Sequence, residues 1–321
     1  MALASLHGNY DAMGQEYPVR IATGLLATSQ SLGWIGTEAG IFKRLGLEVK
    51  FPKMETAGPE AAAGLTRGDW DFAEVGGAPI IQGVLDGQDT VILLAAQQPE
   101  TGSGILVVRR GIAEPGQLSG ARIGVLTEAG QTGIGARAIL RAWGITATLV
   151  PLGTYPKIYA ALGAQEIDAG VLSIEYRLAG QRVFGLNALP TPASGFQPPV
   201  LGSTRRLISS NRGLTARVVQ GYVETIHLFK TSRSVAVSLL QRYLKIFDRD
   251  TIVDIYDYYQ PRFQKLPLPS PVGIQNLLNE FASKYPAART LPATAVIDTS
   301  FLEELERNGF FDRLYGGPKK D

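Results

Sequence analysis

The feature that most constrains this chain is a strand–helix–strand–helix–strand series that occurs twice. The first pass reads VRIATGL, SLGWIGTEAGIFKRLG, LEVKFPK, PEAAAGLTRG and WDFAEV; the second reads ARIGVL, GQTGIGARAILRAWG, ITATLVPL, YPKIYAALGAQ and IDAGVLSIE. Arg122-Ile123 lies 102 residues after Arg20-Ile21, Gly144 lies 98 after Gly46, and Leu162…Asp168 lies 97 after Leu65…Asp71. Apolar, β-branched runs alternating with amphipathic helices predict mainly parallel sheets flanked by helices. Two such series within 321 residues predict two α/β lobes rather than one enlarged core.

Local signals sharpen the elements. Ser29 or Ser31 is the expected N-cap of the first helix, and Gly46 its stop. In DFAEVGGAPIIQGVLDG a strand ends at Gly76-Gly77 and a helix opens at Ala78-Pro79, where a missing N–H costs nothing. TVILLAAQ and GILVVRR read as buried strands. After Leu201 the chain turns helical, with Val218, Tyr222, Ile226 and Phe229 at helical spacing and Pro261, Pro267, Pro269 and Pro271 marking connections. The expected division is 18–107 plus 205–321 for lobe one and 108–204 for an inserted lobe two, with the last helices packed back on lobe one. Residues 1–17 lack a basic leader and a long apolar stretch and read as a disordered or vector-derived tail.

Composition removes several chemistries. There is no cysteine, so disulfides, thiol catalysis and thiolate metal sites are out. His7 and His227 are the only imidazoles, and His227 reads as a structural helix residue. Thirty-one basic against 29 acidic residues leave no electrostatic footprint for nucleic acid. No apolar run reaches membrane-spanning length. The glycines at 130, 133 and 135 fall in the wrong order for a dinucleotide fingerprint; phosphate-loop, nucleophile-elbow and zinc-helix motifs are absent. Neither a metal nor a cofactor is expected.

What remains is loop chemistry at the carboxyl ends of strands, where open α/β sheets bind ligands. Those loops are TGLLATSQS, VGGAP and AQQPETGSG in lobe one, and LTEAGQTG, LGTYP and LSIEY in lobe two. Several open a helix, whose free N–H groups and partial positive charge can face a ligand. Gly76-Gly77 then reads as bare backbone beside a ligand. Trp34 serves equally as a core anchor or a ring platform; Tyr155, ahead of Pro156, and Tyr176 are better placed for the cleft. Tyr256, Tyr258 and Tyr259 read as helix packing. Glu100, Glu128 and Glu175 sit in cleft loops, where ligand hydrogen bonding competes with acid–base work.

The phrases GxxxTEAGIFKRLGLEVKF, GLTRGDWDFAEVGGAPII, LSGARIGV and YAALGAQEIDAGVLSIEY, in this order, resemble the substrate-binding proteins of ABC importers. The nearest group is the sulfonate/nitrate/taurine type, which includes binders of thiamine-pyrimidine precursors; the likeness runs from Val19 to Phe310. It implies the type II periplasmic binding-protein clamshell, an α/β fold of two lobes on a two-strand hinge. It further implies no catalysis, a periplasmic or extracellular location, a monomer, a small-molecule ligand and a membrane permease as partners. Carried over by position, ligand contacts fall on Thr28, Ser29, Gln30, Gly76, Gly77, Ala78, Gln98 to Thr101, Gln131, Thr132, Tyr155 and Glu175. With Trp34, Glu128 and Tyr176 from the loop reading, these form the candidate site. Three cleft glutamates disfavour a simple oxyanion, so a neutral, amine-bearing or aromatic ligand is expected. The fungal pyrimidine synthase on this scaffold depends on cysteines that this chain lacks. An enzyme using Glu128 or Glu175 as base, or a ligand-sensing module, is the alternative.

Overall fold

The computed structural model describes residues 17–52, 58–99, 105–192, 195–246 and 248–316. Glu100 and Thr101 lie outside the described residues. The first series forms strands β1 (Tyr17–Thr23), β2 (Leu47–Lys50), β3 (Phe72–Val75) and β4 (Thr90–Leu94). Helices α1 (Leu32–Glu38), α2 (Ile41–Arg44), α3 (Gly58–Arg67) and α4 (Gly77–Leu85) connect them. The second series forms β5 (Ile105–Val108), β6 (Arg122–Val125), β7 (Thr148–Pro151), β8 (Ala169–Leu172) and β9 (Asn187–Ala188), with α5 (Gln131–Trp143), α6 (Tyr155–Gly163) and α7 (Ile174–Phe184). Strand β10 (Val200–Thr204) follows. The chain ends in helices α8 (Arg205–Ser210), α9 (Arg212–Thr231), α10 (Arg233–Leu244), α11 (Arg249–Tyr259), α12 (Pro271–Phe281), α13 (Ser300–Arg307) and α14 (Phe310–Tyr315).

Two five-stranded sheets result, ordered β2-β1-β3-β10-β4 and β7-β6-β8-β5-β9. They share one plan. In each, the first βαβαβ series supplies three parallel strands, and an antiparallel strand, β10 or β5, pairs with the last of them. The repeat extends to side chains. Arg20 N–H donates to Asp71 Oδ2 at 2.8 Å, and Asp71 N–H returns to the Arg20 carbonyl at 2.9 Å. Arg122 N–H donates to Asp168 Oδ2 at 2.9 Å, with the same 2.9 Å return from Asp168 N–H. Gly46 and Gly144 close their helices at φ 70° and 66°, a backbone state that costs glycine nothing.

The two sheets exchange the strands at their junction. Strand β5 belongs to the second sheet and begins three residues before the boundary expected at 108; β10 belongs to the first sheet and begins five residues before the return expected at 205. Sheet one lies between two apolar layers, one from α1, α2 and α9–α11 and one from α3, α4 and α12. Sheet two is enclosed by α5 on one face and α6 on the other. The C-terminal helices thus complete lobe one.

Some elements differ from the sequence expectation. The single helix expected from Ser31 to Gly46 breaks at Gly40, φ 71°, into α1 and α2. Ser31 stands at the N-cap of α1, but its hydroxyl bonds the Thr28 carbonyl instead of the helix. Glu74 of β3 takes the capping role, accepting the N–H groups of Leu32 and Gly33, both at 3.2 Å. Glu175, expected at a strand end, lies in the first turn of α7.

Candidate ligand cleft

The carboxyl ends of the parallel strands of both sheets border one cleft, about 930 Å³ including its solvent-open mouth. Lobe one contributes Gly24, Leu25, Ser29 and Gln30 after β1, Gly58 and Pro59 at the start of α3, Gly76 and Pro79 around the start of α4, and Gln97 after β4. Lobe two contributes Thr127, Gly130, Gln131 and Thr132 at the start of α5, Gly153 and Tyr155 at α6, and Ser173 and Ile174 at α7. Tyr258 and Tyr259, at the end of α11, form a third wall. Pockets built at strand ends, at domain interfaces and with a few convergent polar groups are the usual form of small-ligand sites.

Of the residues singled out in the sequence, Ser29, Gln30, Gly76, Gln131, Thr132 and Tyr155 line this cleft. Others stand elsewhere. Trp34 is partly buried, packs its ring 5.2 Å from Tyr243 with the Arg242 guanidinium 5.7 Å from its centroid, and is not among the residues lining the cleft. Glu128 is exposed, and its neighbour Thr127 takes the cleft position. Gln98 is half-buried and hydrogen-bonded to Gln264, while Gln97 lines the wall. Tyr176 lies 5.6 Å from Tyr155 and lines a small side cavity. His227 meets Tyr315 edge-on, centroids 4.8 Å apart.

The Gly76-Gly77 turn has a role that the sequence reading assigned to a ligand. A β-carbon on Gly76 would stand 3.2 Å from Gln131 Cβ, and one on Gly77 would stand 3.1 Å from Gln197 Cγ. Bare backbone therefore admits Gln131 from the opposite lobe. Ala78 N–H donates to Gln131 Oε1 at 3.2 Å, and Gln131 Nε2 donates to the Gln197 carbonyl at 2.8 Å. This N–H at the start of α4 points at a protein side chain, and the lobes are joined there.

A second junction lies beneath the cleft wall. Thr28 N–H, in lobe one, donates to Glu175 Oε1, in lobe two, at 2.8 Å. Glu175 is 3% exposed and its Oε2 has no hydrogen-bond partner. The hydroxyls of Thr28, Ser173 and Thr23 are also buried without partners. Buried polar atoms are nearly always bonded in folded proteins, so these four are conspicuous. Burial raises the Tyr155 hydroxyl pKa, and the Glu175 charge raises it further; Tyr259 is shifted the same way by burial and Glu175, while its hydroxyl bonds Ser29. Both rings thus stand within reach of the Glu175 charge. Among the described residues no group of acidic or histidine side chains could hold a metal ion.

The wall formed by Tyr258 and Tyr259 was not legible in the sequence. Their helix reads as ordinary packing, and Tyr256 does pack so, stacked 5.1 Å from Phe229. Only the return of α11 onto lobe one carries the end of that helix to the cleft.

Two mixed α/β lobes with exchanged strands around one cleft define the periplasmic binding-protein fold. No protein-family model matches the chain, and no curated protein does. Solved structures do. The alkanesulfonate-binding protein SsuA from Xanthomonas axonopodis pv. citri, bound to MOPS, is similar at TM-score 0.71 and 16% identity, covering 89% of this chain and 100% of its own. The nitrate-binding protein NrtA from Synechocystis PCC 6803 is similar at TM-score 0.72 and 12% identity, covering 91% and 88%. The Candida albicans CA3427 gene product, described as a new family with the generic periplasmic binding-protein fold, is similar at TM-score 0.64 and 11% identity, covering 91% and 95%. At these identities the likeness establishes the fold. Among the described residues no helix is long and apolar enough to cross a membrane.

Proposed function

We propose that the chain is the solute-binding component of an ABC importer. It captures a small organic ligand between its lobes, closes on it, and delivers it to permease subunits from the periplasmic or extracellular side, as a monomer and without chemistry. The observation that carries this reading is the cleft itself, bordered by both lobes and bridged beside it by Gln131 and Glu175. Closure of such a molecule is a population shift, driven by contacts that only the closed state makes. SsuA and NrtA, similar in fold, are named for sulfonate and nitrate. Here a neutral, amine-bearing or aromatic ligand fits better. The start of α4 is occupied by Gln131, an acid lies in the first turn of α7, and three tyrosines line the walls.

The test is a thermal-shift screen of the purified chain against sulfonates, nitrate, pyrimidines, aromatic acids and amines. A ligand at a hundred times its Kd stabilises by about 2.7 kcal/mol. A hit recovered chemically intact after release supports capture and delivery. A hit recovered altered would replace it with an enzyme on the same scaffold, with a cleft glutamate as base.

A further inference from the structure

We infer that Glu175 is the acceptor for a cationic N–H group of the ligand, and that this one carboxylate couples ligand binding to lobe closure. The inference rests on the solute-binding reading above and narrows its ligand class. Three independent observations point there. First, Glu175 is 3% exposed, spends Oε1 on Thr28 N–H at 2.8 Å, and leaves Oε2 without a partner. Among the described residues none of the ion pairs includes it. A buried carboxylate with a single hydrogen bond is costly until a cation or a further donor reaches it. Second, the tyrosines on which its charge acts, Tyr155 and Tyr259, both line the cleft. Aromatic faces beside a carboxylate attract organic cations. Third, Ser173, two residues before Glu175, lines the cleft with its hydroxyl unpartnered and can accept from a second N–H.

The alternative head group is an anion. It would face the Glu175 carboxylate, and the start of α4 already gives its Ala78 N–H to Gln131. The geometry adds a mechanical consequence. Oε1 holds lobe one through Thr28, while Oε2 is left for the ligand. An ammonium on Oε2 therefore links ligand, lobe two and lobe one through one side chain. Its contact is complete only when the lobes are together, which is the differential affinity that closure requires.

The experiment is isothermal titration of the full chain with methylammonium, benzylammonium, benzyl alcohol and phenylmethanesulfonate, on the wild type and on Glu175→Gln. Glutamine keeps an oxygen for Thr28 N–H and removes the charge; a thermal melt without probe confirms that the variant is folded. We expect an ammonium probe to bind the wild type more tightly than the alcohol or the sulfonate. We expect Glu175→Gln to weaken that ammonium at least tenfold and to leave the alcohol within twofold. Tighter binding of the sulfonate, or an ammonium affinity unchanged by the substitution, overturns the inference and leaves the solute-binding reading standing. Binding of none of the four probes, together with no hit in the wider screen, overturns both.

Discussion

Glu74 shows how a single side chain can carry a cost the fold accepts. It is 4% exposed, accepts from two N–H groups at the start of α1, and accepts from the Tyr222 hydroxyl at 3.3 Å. Burial still dominates, and its pKa rises from 4.5 to about 7. The folded state therefore holds a proton that the unfolded state has released. The stability Glu74 contributes is full below pH 4.5 and is lost as pH rises through 7, amounting to about 3 kcal/mol. Urea melts at pH 4.5 and 7.5 should show that loss in the wild type, and Glu74→Gln should remove the difference. Equal pH dependence in both proteins would dismiss the assignment. At this scale the sequence was partly readable. Polar loops at strand ends pointed to Ser29, Gln30, Gln131, Thr132 and Tyr155 because position along a strand fixes which end a loop occupies. Glu74 was invisible, since a strand residue capping a helix is a meeting set by tertiary structure.

At the scale of elements, the packing of α9 against α1 and α2 depends on absent side chains. Phe42 is fully buried between them, 5.8 Å from Tyr222 between ring centroids. A β-carbon on Gly221 of α9 would lie 2.3 Å from Phe42 Cε1, and one on Gly36 of α1 would lie 2.7 Å from Phe42 Cε2. Both helices accept the helix-weakening residue so that one phenylalanine can lie flat between them. Gly221→Val should gain only about 0.3–0.5 kcal/mol of intrinsic helix preference. It should lose about 1–3 kcal/mol by overpacking, for a net destabilisation. Denaturant melts measure the balance, and a variant as stable as wild type would show that Phe42 can move aside. Periodicity located α9, and the strand–helix alternation located the other strands, but β9 and β10 were missed: β10 runs to Thr204, whereas the sequence reads as helical already after Leu201. The breaks at Gly40 and Ser232 were less readable, because a glycine or serine inside a helical pattern is tolerated as often as it interrupts.

For the whole molecule, contacts away from the cleft also join the two lobes and would bear on their closure. Arg182 of α7 reaches Asp248 and Thr251, and meets Asp254 of α11 at 3.1 Å, while Arg141 of α5 pairs with Glu280 of α12. Each pair joins lobe two to the C-terminal helices on lobe one. These ion pairs are partly solvated, so each contributes little on its own. Arg182→Ala, which removes both of its pairs at once, should therefore shift the population measurably toward the open form. Ligand affinity weakens with it, and the radius of gyration in solution scattering increases. An unchanged radius would mean that the cleft bridges alone hold the lobes. The two-lobed plan itself was legible, because a repeat at near-constant offset carries architecture as well as local structure. How the lobes meet was not, since it depends on pairings between residues 53 to 147 positions apart that no local pattern marks.

The exchanged strands impose an order on synthesis. Sheet two is built from one unbroken stretch of chain, 105–188. Sheet one lacks the strand between β3 and β4 until residues 200–204 have left the ribosome. The half that begins first is therefore finished last, and the intervening half can fold as a unit while β4 still waits for its neighbour. A nascent chain whose residue 188 has just left the ribosome would hold one completed sheet and one sheet with a gap in its middle.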